Sequence, residues 1–215
     1  MKRFALIVLA AAVCAAGVPL LAQQPGMGRG GMGGMGGGAA AQTTLAQPRT
    51  SPHDTVSGRI GGGRNAALIV VYYGRPYSKD PNTGAVRKIW GGLVPFGQVW
   101  RMGSDEATVI TTPVDLQIGD TVIPAGAYSL DMQPEADGSA KLIFNKQVSR
   151  WGIPYTAALQ KDELVRVDMK KADAPKPLDE FVITLAPNAT GDALTLTAAW
   201  ENTQYSVDLK QAPKK

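Results

Sequence analysis

Apolar and polar residues alternate along most of the second half of the chain, and a period of two is typical of β-strands with one buried face. In residues 128–133, Tyr, Leu and Met at even positions alternate with Ser, Asp and Gln. The same pattern returns at 165–169, 181–185, 194–201 and 205–209. We predict that each segment is a strand with an apolar face and a solvent-exposed face.

Turn signals and one denser apolar run complete the predicted fold. Residues 67–73 are β-branched and aromatic, which favours a mostly buried strand. Only residues 151–161 allow a helix, and Pro154 weakens it. Many short strands joined by turns predict an all-β protein, an antiparallel β-sandwich of jelly-roll-like type. Residues 51–211 form this single domain, and 212–215 are a tail.

The apolar members of these runs predict the hydrophobic core. Each belongs to a segment that is apolar throughout or alternates with period two. The predicted core residues are Val70, Tyr72, Leu130, Phe144, Val167, Ile183, Leu196 and Trp200.

Residues 1–22 follow the pattern of a secretory signal peptide. The cations Lys2 and Arg3 precede the apolar residues 4–21, and Ala22 offers a small residue at the cleavage site. We expect cleavage after Ala22 and export to the periplasm or the extracellular space. The apolar run is short for a membrane anchor, so no membrane span is expected in the mature chain.

Residues 23–50 are predicted to be a disordered tether. Glycine dominates residues 25–41, and so many glycines lose too much backbone entropy on ordering. Met27, Met32 and Met35 lie within this segment, and thioethers are ligands for Cu(I). Copper handling by the tether is therefore a weak alternative to a plain linker.

Composition excludes several functions. Removal of Lys2 and Arg3 lowers the formal net charge from +4 to +2, with no basic stripe for nucleic acid. Cleavage also removes Cys14, the only cysteine, and with it disulfide and thiolate chemistry. His53, the only histidine, is too few for a His₂ or His₃ zinc site and is expected to be exposed and non-catalytic. No metal and no cofactor are predicted.

The loop at residues 90–106 concentrates more distinctive residue types than any other stretch of the chain. It contains two tryptophans, an arginine and an acidic pair. Trp90 and Trp100 offer stacking surfaces, and Arg75 and Arg101 offer planar sets of donors. Such groups suit an anionic or hydroxylated ligand.

Asp105 and Glu106 admit two further interpretations. Either one can form an ion pair with Arg101 that fixes the loop to the sheet. Together with a distant acid such as Glu163 or Glu180 they can also serve a carboxylate-dependent hydrolase. Consecutive residues entering a strand point to opposite faces, which argues against one shared site for Asp105 and Glu106. The candidate ligand-binding residues are Arg75, Trp90, Trp100, Arg101, Asp105 and Glu106.

Six short motifs stand out along the domain: Ser51-Pro52, Tyr73-Gly74-Arg75-Pro76, residues 91–97, residues 100–108, residues 124–130 and Ile143-Phe144-Asn145. Together they resemble the DUF2911 family of secreted bacterial proteins of unknown function. The resemblance covers about residues 51–209 and implies export and a compact domain, with no established activity. One departure is Asp105, where the family usually has asparagine.

The sequence therefore predicts an exported, non-enzymatic β-domain. We expect it to bind a small anionic or hydroxylated ligand, or another envelope component, through loop 90–106. A carboxylate-dependent hydrolase is the main alternative.

Overall fold

Ten β-strands and one short helix form two antiparallel sheets in the computed structural model, which describes residues 49–62, 66–190 and 192–213. The predicted signal peptide and nearly all of the predicted tether lie outside the described residues. The all-β, single-domain prediction is confirmed.

The larger sheet has six strands. Their order across the sheet is β1 (His53–Ile60), β2 (Ala67–Gly74), β3 (Thr108–Thr112), β6 (Gly126–Pro134), β7 (Ala140–Asn145) and β8 (Glu163–Asp168). Each pair of neighbours is antiparallel.

The smaller sheet has four strands, with two long ones at one side. Their order is β5 (Thr121–Ile123), β4 (Leu116–Ile118), β10 (Leu194–Gln211) and β9 (Lys170–Pro187). Only Met169 separates β8 from β9, so the chain passes almost directly from one sheet to the other. The first half of β9 was not predicted as a strand, because its prolines and lysines break the apolar alternation.

The inner faces of both sheets share one hydrophobic core. The hydroxyl of Tyr73 on β2 donates to the carbonyl of Ile183 on β9 at 3.3 Å and joins the sheets directly. Six of the eight predicted core residues are buried: Leu130, Phe144, Val167, Ile183, Leu196 and Trp200.

The prediction for β2 was wrong by one residue. Val71 and Tyr73 point into the core, whereas Val70 and Tyr72 lie half-buried on the opposite face. Residues 67–73 are apolar on both faces, so alternation gave no register, and a slip of one residue exchanges the faces of a strand.

Residues 146–162 cross the outer face of the six-stranded sheet, and we call them the covering segment. It contains α1 (Ala157–Lys161), whose N-cap Thr156 accepts from the Leu159 amide. The predicted helix is therefore confined to its last turn, after Pro154. A bridge between Glu106 and Trp151 pairs the covering segment with the end of loop 90–106.

Candidate functional site

The two tryptophans of loop 90–106 are turned toward the core. Trp100 is buried, and its ring lies 5.0 Å from that of Phe181 and 6.0 Å from that of Trp200. Trp90 is half-buried, 5.3 Å from the ring of Tyr205, and its indole N–H donates to the Trp200 carbonyl at 3.4 Å. These rings fix the loop to the core, and of the two only Trp90 keeps an exposed edge.

Arg75 lies apart from the tryptophans and joins strands of both sheets. Its guanidinium binds the carboxylate of Asp54 on β1 at 3.1 Å and that of Glu180 on β9. Arg75 therefore has two acidic partners that already occupy its charged end.

Arg101 is the predicted loop anchor, but its partner is not the predicted one. Its Nε donates to the Gly103 carbonyl at 3.2 Å, and its side chain packs against Gly152 of the covering segment. Burial lowers the pKa of Arg101, against the opposing charge of Asp105. Among the described residues Arg101 forms no ion pair, so the predicted pair with Asp105 or Glu106 was wrong.

Asp105 and Glu106 instead converge on His53. The imidazole Nε2 lies 3.2 Å from Asp105 Oδ2 and 3.4 Å from Glu106 Oε2. The side chain of His53 is only 9% exposed, and its ring packs at a tilt against that of Tyr72, with the ring centres 5.2 Å apart, so the expected exposure of His53 was wrong.

The local backbone explains why both carboxylates reach one histidine. Asp105 has a φ of 62°, in the left-handed region that asparagine and aspartate tolerate best. This conformation interrupts the alternation of a strand, so the prediction of opposite faces for Asp105 and Glu106 failed. Gly74 contributes as well, because a Cβ there would collide with Ser104 and push the loop off β2.

The same carboxylates hold the segment before β1, and we call Arg49, Thr50, His53, Asp105 and Glu106 the N-terminal latch. Arg49 binds Glu106 at 2.6 Å, and Asp105 accepts from the amide and hydroxyl of Thr50. Burial raises the pKa of Glu106, but the hydrogen bonds and charge of Arg49 outweigh it and lower the pKa.

A second polar cluster, which the sequence did not predict, lies beneath the covering segment. Ser129, Asp131 and Asn145 occupy the outer face of β6 and β7, and none of them is exposed. The expectation of a solvent-exposed face on β6 was therefore wrong, because the covering segment excludes water from it. We call these residues, with Gln133, Glu163 and Arg166, the polar face.

Arg150 of the covering segment reaches the centre of the polar face. Its Nη2 lies 2.5 Å from Asp131 Oδ2 and donates to the Ser129 hydroxyl at 3.1 Å. The guanidinium carbon lies 5.7 Å from the ring centre of Tyr155. Burial raises the pKa of Asp131 to about 6, and the charge of Arg150 only partly opposes this effect.

Tyr155 attaches the second half of the covering segment. Its hydroxyl donates to Glu163 at 2.6 Å, and Arg166 binds both oxygens of the same carboxylate at 2.7 Å. Burial raises the pKa of Tyr155, and the bond to Glu163 adds to the effect. Asn145 donates to the Leu159 carbonyl at 2.7 Å.

An open cleft lies at another place, between the β4–β5 turn, the end of β8 and the last part of β10. Its volume is about 590 Å³, within the usual range for ligand sites. Most of its lining side chains are charged or otherwise polar: Gln117, Asp120, Thr121, Arg166, Asp168, Lys170, Ser206, Asp208 and Lys210.

The described residues contain neither a cluster of metal-ligating side chains nor a helix suited to span a membrane. No group of three or more His, Cys, Asp or Glu side chains there is arranged to hold a metal ion. No helix in the same part of the chain is long and apolar enough to cross a membrane.

Comparison with known proteins gives one match. A family described as "Protein of unknown function (DUF2911)" matches residues 51–209, which span the β-domain from just before β1 almost to the end of β10. No curated protein and no solved structure matches the chain. The description assigns no activity, so a function has to be argued from the sites above.

Proposed function

Because the chain belongs to the DUF2911 family, for which no activity is described, we propose from its geometry that it is an exported, non-enzymatic domain that binds a small hydrophilic ligand. The observation that carries the proposal is the open cleft of about 590 Å³. Export rests on the signal-peptide pattern of residues 1–22.

The lining of the cleft favours a ligand with charges of both signs. Within the described residues, Asp120 and Lys170 line the cleft and form no ion pair. Asp168 and Lys210 each bind a partner of opposite charge. A zwitterion, such as a free amino acid, can offer a cation to Asp120 and an anion to Lys170. We therefore propose a zwitterionic ligand.

Loop 90–106 supports the domain in this account rather than contacting the ligand. Trp100 is buried among core rings, and Arg75 is paired with two acids. The carboxylates of Asp105 and Glu106 are 4% and 10% exposed and hold the N-terminal latch. A carboxylate-dependent hydrolase that uses Asp105 and Glu106 would need them on either side of an open cleft, and both are buried in the N-terminal latch.

Titration of the ¹⁵N-labelled protein with L-alanine, N-acetylglucosamine and inorganic phosphate tests the proposal. L-alanine is expected to shift the amide signals of residues 117–121 and 206–210 in a saturable way, and the other two probes are not. Saturable shifts only with the sugar or phosphate, only within 90–106, or with no probe would contradict the proposal.

Three matched variants sharpen the test. Asp120→Asn and Lys170→Gln each remove one charge from the cleft and should weaken L-alanine binding roughly 10-fold or more, the usual cost of a charged hydrogen bond. Lys176→Gln removes the same charge from an exposed position of β9 outside the cleft and should leave the affinity unchanged. Equal losses in Lys170→Gln and Lys176→Gln would argue for a nonspecific charge effect instead.

A further inference from the structure

The covering segment is held on the sheet mainly by polar contacts. Helix α1 buries no residue, and Ile153 is 53% exposed. The attachments include the side chains of Arg150 and Tyr155, the bond from Asn145 to the Leu159 carbonyl, and backbone bonds such as that from the Gly152 amide to the Asp105 carbonyl. Elements with little apolar burial open locally at low free energy, independently of the rest of the fold.

The charged groups around Asp131 come from two elements. Arg150 and the titratable Tyr155 belong to the covering segment, and Glu163 and Arg166 act on Asp131 from β8. On β7 its direct neighbour in the sheet is Ile143, which carries no charge. Among the described residues, Arg150 is thus the only side chain hydrogen-bonded to the Asp131 carboxylate, and it would leave with the covering segment.

The closed arrangement leaves polar groups unsatisfied. Asp131 Oδ1 and Arg150 Nε are both buried, and neither has a hydrogen-bond partner among the described residues. A buried polar group without a partner is costly, whereas water would satisfy both atoms if the segment lifted away. The contact between the covering segment and the sheet should therefore break at a low free-energy cost.

We propose that residues 146–162 form a lid over the polar face, and that closing the lid is coupled to proton uptake by Asp131. The closed lid buries Asp131 against the sheet, and the open lid returns the carboxylate to water. The protonated carboxyl is the form that tolerates burial, so the two equilibria are linked.

The direction of the coupling depends on whether burial or Arg150 dominates. Arg150 favours the ionised carboxylate, and burial favours the protonated form. Asp131 is fully buried and only one of its two oxygens has a partner, and with the lid closed its pKa is about 6, above the ordinary 3.8, so burial dominates. Protons therefore favour the closed lid, and the lid opens more often as the pH rises through the range from about 4 to 6.

Hydrogen exchange of the full chain, followed by mass spectrometry at pH 4.5 and 7.5 and corrected for intrinsic rates, tests the proposal. If the open lid restores the ordinary pKa, its opening equilibrium should increase about 25-fold between these pH values. Amides of β7, beneath the lid, should show no such increase. Lid amides that exchange only together with β7, or open less at pH 7.5, would overturn the proposal.

Two variants isolate the proton acceptor. Asp131→Asn keeps the shape without the charge and should remove the pH dependence of lid opening. Asp168→Asn, on the exposed part of β8, should retain it. A dependence that persists in Asp131→Asn would assign the effect to another group. If Asp131→Asn does not fold, the wild-type exchange alone decides.

Discussion

Both faces of β6 are buried, one by apolar packing and the other by polar contacts. On the inner side, Leu130 and Met132 belong to the core that also holds the aromatic cluster of Trp90, Trp100, Phe181, Trp200 and Tyr205. On the outer side, Ser129 and Asp131 are equally inaccessible but lie beneath a segment held by hydrogen bonds.

Among the described residues, the aromatic cluster has no buried polar side-chain atom without a hydrogen-bond partner, whereas the polar face and its covering segment have two. Each ring of the cluster packs on other rings, and the Trp90 and Trp200 indole N–H groups both find acceptors. The polar face retains a buried carboxylate oxygen and a guanidinium nitrogen without partners. Apolar burial is stabilising at any pH, but polar burial depends on protonation and pairing. We therefore infer that the aromatic cluster stabilises the fold and that conformational change occurs at the polar face.

The largest effect is expected from truncation of the aromatic cluster. Trp200 is fully buried and contacts the rings of Trp100 and Phe181. Trp200→Ala should lower the free energy of unfolding by about 3–5 kcal/mol in chemical denaturation. Val86→Ala, at a position that is 76% exposed, is the control and should change it by less than about 0.5 kcal/mol. A similar small change for Trp200→Ala would contradict the proposed core.

A smaller, pH-dependent effect is expected at the polar face. Arg150→Ala leaves Asp131 buried without its ionic partner at neutral pH. The free energy of unfolding of the variant should fall by about 2–3 kcal/mol at pH 7.5. This loss is somewhat smaller than for a permanently buried ion pair, because the lid can open and hydrate the carboxylate. Below pH 5 Asp131 is largely protonated, and the loss should shrink.

Denaturation of Arg150→Ala at both pH values checks this prediction, with the exposed Arg59→Ala as the matched control. An equal loss at both pH values would mean that Arg150 acts by packing and not through the charge of Asp131.

The smallest effect is expected from Asp105→Asn in the N-terminal latch. Asn keeps one oxygen that can accept from Thr50, its NH₂ group can donate to a neutral His53 imidazole, and it tolerates the left-handed conformation of residue 105. Asp105→Asn should therefore cost less than about 1 kcal/mol, and Asp105→Ala about 1–3 kcal/mol, since it leaves donors unpaired and strains the backbone. Thermal or chemical unfolding of the two variants measures the difference. Equal effects would show that the hydrogen bonds of Asp105 are unimportant.

The sequence was informative about strand faces and silent about what covers them. Alternation in residues 128–133 correctly separated Leu130 from Asp131, because side-chain direction is a local property of a strand. Whether the polar side meets water depends on residues 146–162, which have no pattern of their own. The uniform apolar run at 67–73 gave the strand β2 but not its register.

The ligand site predicted at loop 90–106 stays a prediction, but the structure gives its residues contacts that the sequence did not show. Trp90 and Trp100 suggested a stacking surface, yet large rings in a β-sandwich are most stable in its core. The partners of Asp105 and Glu106 proved to be His53 and Arg49, more than 50 residues earlier. This pairing comes from tertiary contacts. It also depends on the left-handed backbone at Asp105, which lets both carboxylates reach His53.

Titration of the Asp131 carboxyl by ¹³C NMR tests most directly whether the outer face of the six-stranded sheet is buried. We expect a midpoint near pH 6. Because the folded-state pKa lies above the unfolded value, this group makes the protein less stable as the pH rises from about 4 to 6, by at most about 3 kcal/mol. A midpoint near the ordinary value of about 3.9 for aspartate would place Asp131 in water and contradict the account.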